Sequence, residues 1–376
     1  MKILGLIAGC TIGFAAFAQD FNVGLQAITD GDYDTAFSEF FSLAVNGDAF
    51  AQYFLGVLYY HGQGVTKDYG EAARWHRMSA EQGYDLAQYF LGLLYYHGQG
   101  VTKDYGEAAR WYRMSAEQGY DLAQNNLGLL YKKGQGVTKD YGEAARWYRM
   151  AAEQGGAFAQ YNLGILYRKG QGVPQNNEEA AKWYRMSAEQ GEAFAQNDLG
   201  ILYNQGLGVT KDYEEAVKWY RMSAEQGDAY AQKNLGTLYS KGQGVSQNYG
   251  EAMKWYRMSA EQGDARAQSN LGGMYEEGQG VPQNYGEAVK WYQMSAEQGD
   301  TYGQFNLGLS YYYGHGVSQN YVRAHAWFNL AASQGDDENF VSMRDSVEEL
   351  MTPEQVVEAQ RLATLWHPGA SLDDWK

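Results

Sequence analysis

The sequence predicts an all-α fold, a solenoid of eight 36-residue helix hairpins closed by capping helices at both ends. Three observations predict it. Trp75, Trp111, Trp147, Trp183, Trp219, Trp255, Trp291 and Trp327 recur at an interval of thirty-six residues, and a fixed period of this size marks a repeat array. Within each period apolar residues fall at spacings of three and four, the pattern of one helix face. Between those runs the same punctuation returns: a Gly-x-Gly break, an Asp or Asn followed three residues later by Glu, then a closing glycine. The first two units, residues 51–86 and 87–122, differ only at Val57/Leu93 and His76/Tyr112.

Taken in chain order, residues 1–18 read as a secretory leader rather than as part of the fold. Lys2 supplies the positive end, an apolar run follows, and Ala16-Phe17-Ala18 gives a small-x-small cleavage pattern before Gln19. Cys10, the single cysteine, ends a lipobox-like Ile7-Ala8-Gly9-Cys10. The stretch before it is short for a signal core, so cleavage after Ala18 is the preferred reading and lipidation the alternative. Residues 19–50 form an N-terminal cap. Asp32-Tyr33-Asp34-Thr35-Ala36 stands one period ahead of Asp68, but Glu39 occupies the Trp position. A terminal hairpin has no preceding neighbour to cover an indole, so a polar residue suits it.

Residues 51–338 hold the eight repeats. In the first, Ala51, Leu55, Leu58 and Tyr59 lie on one face of a first helix, and Gly56 beside them permits close approach of another helix. Gly62-Gln63-Gly64 breaks that helix. Asp68 opens the second as N-cap, with Glu71 placed to complete a capping box. Ala72, Trp75, His76 and Ser79 face inward, and Gly83 ends the helix. One such hairpin cannot bury its own Trp, so neighbours must stack. Residues 339–376 are a C-terminal cap and tail. Arg344 replaces the close-packing glycine, Thr352-Pro353-Glu354-Gln355 starts a last helix, and residues 367–376 read as a frayed end.

The recurring frame AxxxLGxLYxxGxGVxxDxxEAxxWYxxAAxxG resembles the Sel1-like repeat, a relative of the tetratricopeptide repeat. The resemblance implies an α/α superhelix with first helices on its concave side, and adaptor or scaffold work rather than catalysis. Secreted bacterial members include envelope adaptors and proteins acting at host-cell surfaces, so a role in host-cell interaction or invasion is implied as well. A disulfide-bearing branch is linked to β-lactam binding, but this chain lacks those cysteines.

Four positions of each first helix vary most between units and share one face: Phe50, Tyr53, Val57 and Tyr60 in the first repeat, Leu86, Tyr89, Leu93 and Tyr96 in the second. By the resemblance, this face lines the concave groove. The last of these positions and its neighbour change character along the chain. They read Tyr60-His61, Tyr96-His97, Lys132-Lys133, Arg168-Lys169, Asn204-Gln205, Ser240-Lys241, Glu276-Glu277 and Tyr312-Tyr313. Phe50, Tyr53, Tyr60, Leu86, Tyr89 and Tyr96 are therefore the expected partner-binding cluster. Lys132 and Arg168 are expected to meet an acidic segment of the partner. A competing arrangement has the aromatic cluster packed against residues 21–41 of the cap.

The net charge of −16 disfavours nucleic acid and anionic membrane surfaces, and no segment after the leader is apolar enough to span a bilayer. The expected partner is a protein or peptide, bound by a monomer in the periplasm or outside the cell. The Gly-x-Gly loops follow helices and lack GK[ST], so they are turns rather than phosphate cradles. Neither GxSxG nor HExxH occurs. His61 and His97 are one period apart without a carboxylate in register, so no metal is expected and no cofactor is implied. Glu71 and Glu107 are explained by capping, Trp75 and its successors by the core. Lys67, Arg74 and Arg77 are expected on solvated faces. A cell-wall or β-lactam hydrolase and a glycan binder stand as alternatives to a non-catalytic scaffold.

Overall fold

The computed structural model describes residues 17–334 and 337–370. The expected leader, Cys10 included, lies outside these residues except for its last two, as do the last six residues of the expected tail. Every regular element among the described residues is a helix. In chain order they are α1 (Phe17–Asp30), α2 (Tyr33–Val45), α3 (Ala49–His61), α4 (Tyr69–Glu81), α5 (Asp85–His97), α6 (Tyr105–Glu117), α7 (Asp121–Lys133), α8 (Tyr141–Glu153), α9 (Ala157–Lys169) and α10 (Asn177–Glu189). There follow α11 (Ala193–Gln205), α12 (Tyr213–Glu225), α13 (Ala229–Lys241), α14 (Tyr249–Glu261), α15 (Ala265–Glu277), α16 (Tyr285–Glu297), α17 (Thr301–Tyr313), α18 (Tyr321–Gln334), α19 (Glu338–Glu348) and α20 (Pro353–Leu365). They form two compact units, residues 1–187 and 188–376. Each unit is an all-α solenoid of consecutive helix pairs.

The repeat is built as its residues dictate. α3 ends at Gly62, whose left-handed φ of 72° glycine alone adopts without penalty. The Asp68 N–H then reaches back to the Tyr59 carbonyl at 3.0 Å, closing the loop. Asp68 caps α4 by accepting from the Gly70 and Glu71 amides at 2.8 and 3.1 Å. The expected box is only half made: Glu71 turns away to Arg74 at 2.8 Å. A reciprocal box is made at Thr352 and Gln355, where α20 begins.

Two close approaches join helices. A Cβ on Gly56 would stand 2.6 Å from the His76 ring, and one on Gly92 2.7 Å from Tyr112. The aromatic residue of each second helix thus lies flat on the glycine of its first. The cap hairpin uses the same device, with Gly24 against Phe40. The second glycine of each Gly-x-Gly joins hairpins: a Cβ on Gly64 would lie 2.1 Å from the Tyr33 carbonyl oxygen.

Trp75, Trp111, Trp147, Trp183, Trp219, Trp255 and Trp327 are buried, whereas Trp291 is partly exposed. Trp111 of α6 clusters with Ala73 and Ala80 of α4 and with Ala87, Leu91 and Leu94 of α5, so this indole bridges its own hairpin to the one before, as Trp147, Trp183 and Trp255 do. Trp75 instead meets the cap through Phe41 and Phe40.

Polar side chains form a second seam. Gln52, buried, donates to the Ala44 carbonyl at 3.1 Å and accepts from Gln82 at 2.8 Å. Gln88 with Gln118, and in the second unit Gln196 with Gln226, repeat the arrangement. Arg77 is exposed, as expected, and also donates to the Tyr95 hydroxyl of the next hairpin, as Arg113 does to Tyr131 and Arg149 to Tyr167 at 2.6 Å each. Arg74 is exposed as expected, though its guanidinium covers the Trp75 ring at 4.1 Å.

His76 replaces the tyrosine or phenylalanine of other repeats and is wholly buried between Tyr53 and Phe90, with neither ring nitrogen hydrogen-bonded. Burial lowers its pKa to about 3, against about 6.5 in the unfolded chain. Between those values the unfolded chain takes up a proton that the folded one refuses. Stability from this site is complete above pH 6.5 and falls as pH drops toward 3, by about 1.4 kcal/mol per pH unit. His76→Phe, which copies Phe328 against Gly308, is expected to remove that slope. Denaturant titrations of both proteins from pH 7 to pH 4 would check it, and parallel pH profiles would refute it.

At the C-terminal end, Trp366 meets Trp327 edge-on at 6.2 Å, and the Gly369 N–H donates to the Glu297 carbonyl at 2.9 Å. The chain is therefore held through residue 370, beyond the point where fraying was expected. Trp366 and Pro368 lie against Gly299, and this contact anchors it.

Candidate functional site

The first-helix face is built from side chains that leave the hairpin core at the start and end of each odd-numbered helix. At its N-terminal end the structure alters the expected site. Tyr53 is 3% exposed and packs on Phe54, His76, Tyr84 and Phe90. Burial above all raises its hydroxyl pKa, with Tyr84 and Asp85 adding to the shift. It belongs to the core, and Val57 is buried with it. Phe50 meets Tyr84 at 4.6 Å and Phe21 of the cap at 6.2 Å, so it shares in the competing cap contact, yet it stays 37% exposed. Tyr89 meets Tyr120 at 5.0 Å, Tyr60 meets Tyr69 at 5.1 Å and Tyr96 meets Tyr105 at 5.2 Å. These three tyrosines and Leu86 are half-buried.

Apart from Phe50, the rings thus close on one another rather than lining an open surface. Tyr84 and Tyr120 cause this. Both stand at N-cap positions where Asp228, Asp264 and Asp300 accept a backbone hydrogen bond, and neither makes one. Each gives up a cap hydrogen bond for ring contact with the preceding first helix. Their position in the repeat frame was readable, but a ring at a capping position gives no periodic signal.

The exposed rings occur further on, in the column that begins with Phe50. In the first unit Leu122 and Phe158 are exposed, Phe158 by 58%. In the second unit Phe194, Tyr230 and Tyr302 are exposed by 56, 60 and 45%. Arg266 takes this column once, pairing with Asp300 at 2.9 Å while lying over Tyr302 at 4.1 Å. The same frame that yielded Phe50 and Leu86 contains all of these. The period alone does not single them out, because a ring at this position reads the same whether or not the next hairpin covers it.

Beside the column runs a row of amides. Asn162 donates to Asn125 at 3.3 Å in the first unit, and Asn234 to Asn197 at 3.1 Å in the second. Lys132 and Arg168, half-buried, end α7 and α9. Burial lowers the Lys132 pKa, and Lys169 and Lys133 add to the shift. In the second unit the equivalent residue is Glu276, which accepts from the buried Tyr292 hydroxyl at 2.6 Å. Gly273 stands where other repeats carry Val57, Leu93, Leu129 or Thr237. It opens a hollow of about 300 Å³ lined by Asn270, Glu277, Tyr256 and Tyr302.

Among the described residues no group of His, Cys, Asp or Glu is placed to hold a metal ion, and no helix is long and apolar enough to cross a membrane. His61 and His97 are exposed. Burial lowers the His61 pKa, and Lys67 contributes further. The arrangement offers rings, amides and charges for contact.

Comparison with known proteins agrees with this geometry. The Sel1 repeat model matches residues 49–84, 85–120, 121–156, 157–192, 193–228, 229–264, 265–300 and 301–336, two residues ahead of the frame counted from Ala51. No curated protein matches the chain. Among solved structures, a protective antigen present in uropathogenic Escherichia coli strains, displaying an SLR fold, is 34% identical, with 96% of this chain and 85% of that one covered and a TM-score of 0.67. A Sel1 repeat protein from Oxalobacter formigenes is 39% identical over 65% of this chain and 96% of its own, with a TM-score of 0.58. Proteins built of these repeats are generally interaction scaffolds rather than catalysts. With eight matched repeats spanning more than half its length, the chain belongs to the Sel1-repeat family.

Proposed function

We propose that this chain is a monomeric scaffold, exported to the periplasm or beyond the cell, that captures a protein or peptide partner on the first-helix face of its repeats. The observation that carries the reading is the exposed column. Phe158 in one unit and Phe194 and Tyr230 in the other are more than half exposed. Each side chain recurs on a rigid helix at the same place in the frame. Within each unit, apolar groups repeated in register beside amides and charges form a surface suited to an extended polypeptide. The apolar leader of residues 1–18 supports export. The similarity to a protective antigen of uropathogenic Escherichia coli strains favours work at the envelope or toward a host cell.

The reading is tested by placing a photocrosslinking residue at Phe158 and, separately, at Met78 on the second helix of the first repeat, in the producing cells. One partner joined at position 158 and not at 78 is the expected result. Equal adducts at both, or none, would sink the surface assignment. Intact mass of the exported protein should begin at Gln19, and retention of Met1 in the cytoplasm would sink the location.

A further inference from the structure

In a protein of net charge −16, the last turns of α7 and α9 crowd four cations together: Lys132, Lys133, Arg168 and Lys169. A cation at a helix C-terminus is ordinarily favourable, which accounts for one per helix. It does not account for two pairs on neighbouring helices. Among the described residues Lys132, Lys133 and Lys169 make no ion pair, and the charges that act on Lys132 are Lys169 and Lys133.

A second observation lies beneath them. The Tyr148 hydroxyl is buried and has no hydrogen-bond partner. Its equivalents show what that hydroxyl meets. Four repeats later, Tyr292 donates to the Glu276 carboxylate at 2.6 Å, and one repeat before that, Tyr256 lies 3.4 Å from Ser240 and 3.1 Å from Thr237. Glu276 and Ser240 occupy the position that Lys132 takes here. The seventh repeat supplies a carboxylate to its own tyrosine. The third has a hydroxyl with nothing to donate to and an ammonium where the carboxylate would stand. A buried hydrogen bond left unmade and like charges held together are both unfavourable, and an incoming carboxylate would relieve both.

We propose that the ends of α7 and α9 receive a run of aspartate or glutamate side chains from the partner polypeptide. One carboxylate occupies the place that Glu276 fills in the seventh repeat, accepting from Tyr148 with Lys132 turned to meet it. Another reaches Lys169. Adjacent helices lie about 8–10 Å apart, and an extended chain advances about 3.3 Å per residue. Acidic residues two or three apart therefore match the two helices. A lone terminal carboxylate would leave Lys169 unmet. This deepens the scaffold reading and rests on it for the choice of face.

The test is fluorescence anisotropy of the full chain with a labelled hexaglutamyl peptide, amidated at its C-terminus. Binding that weakens steeply with salt is expected, at least ten-fold tighter than to a hexaglutamine control. The controls are a peptide whose only anion is its free C-terminal carboxylate and a thymidine hexanucleotide. Lys132→Glu, which copies the seventh repeat, should reduce affinity at least ten-fold while its helicity and melting match wild type. Lys169→Gln should weaken it several-fold. Tyr148→Phe should do the same without loss of stability, a result that a merely structural tyrosine would not give. Equal binding by Lys132→Glu, or equal binding of any control ligand, would overturn the proposal. Failure to bind the acidic peptide while crosslinking at Phe158 persists would reject this site and leave the scaffold reading intact.

Discussion

Trp111→Ala is expected to destabilise the first unit by about 3–5 kcal/mol, the range for removing a buried aromatic side chain. Trp111 is buried among Ala73, Ala80, Ala87, Leu91 and Leu94. Three of those five are alanines, whose side chains cannot extend into the space left behind. Collapse would need α4, α5 and α6 to move together, and the Gln118–Gln88 and Gln82–Gln52 hydrogen bonds at 2.8 Å oppose that. The cavity therefore stays open, and its cost adds to the lost transfer energy. Because this indole joins one hairpin to the next, its loss should also blunt cooperativity, as in any array held by nearest-neighbour interfaces. Trp291→Ala is the matched control: Trp291 is partly exposed and should cost clearly less. Urea titrations followed by circular dichroism would measure both. A Trp111→Ala loss under 1 kcal/mol, or equal losses at the two sites, would refute the bridging role.

Gly100→Ala is expected to have an effect of similar size for a different reason. Gly100 has φ +69°, and an added Cβ would lie 2.0 Å from the Tyr69 carbonyl oxygen and 2.5 Å from the Gly70 nitrogen. Both are backbone atoms at the start of α4, fixed by the Asp68 cap, so neither can give way. Gly83 has an equally unfavourable φ of +95°, but nothing lies within 4 Å of its would-be Cβ. Gly83→Ala thus isolates the conformational term, about 1–2 kcal/mol. The steric term raises Gly100→Ala to about 3–5 kcal/mol. In both variants the stiffer unfolded chain offsets about 0.4–1 kcal/mol, which cancels in the comparison. Thermal melts of the pair would decide it. Equal melting temperatures would mean that the loop does not press on the preceding hairpin.

These glycines show why some features were legible in the sequence and others were not. The Gly62-Gln63-Gly64 break was readable as a turn because glycine is the residue that tolerates the angles. That Gly64 also touches Tyr33 across the hairpin boundary is a contact between segments thirty residues apart. No local pattern reports it. Arg77 likewise reads as a solvated cation by its helix face, and only stacking brings the Tyr95 hydroxyl beneath it.

The candidate surface divides along the same line. Phe50, Tyr53, Tyr60 and Tyr89 share a helix face by periodicity, and the structure keeps them on that face. Whether a ring on it meets solvent depends on the next hairpin. Tyr84 covers Tyr53 and Tyr120 covers Tyr89, whereas Phe50 touches Tyr84 and stays partly in solvent. Phe158 stands free of such cover and remains exposed.

Helix placement, caps and the repeat period were thus determined by the sequence alone, because each rests on interactions within one turn or one hairpin and recurs along the chain; the period also showed that the indoles need a cover, which the preceding hairpin supplies. Which aromatic side chains are sealed, which arginines bond, and which tyrosine hydroxyl is left without an acceptor were decided only by the tertiary structure. Those outcomes depend on side chains sixteen to thirty-four positions away that the folding and stacking of hairpins bring into contact, and a period reports that a neighbour exists without reporting which side chain it carries there.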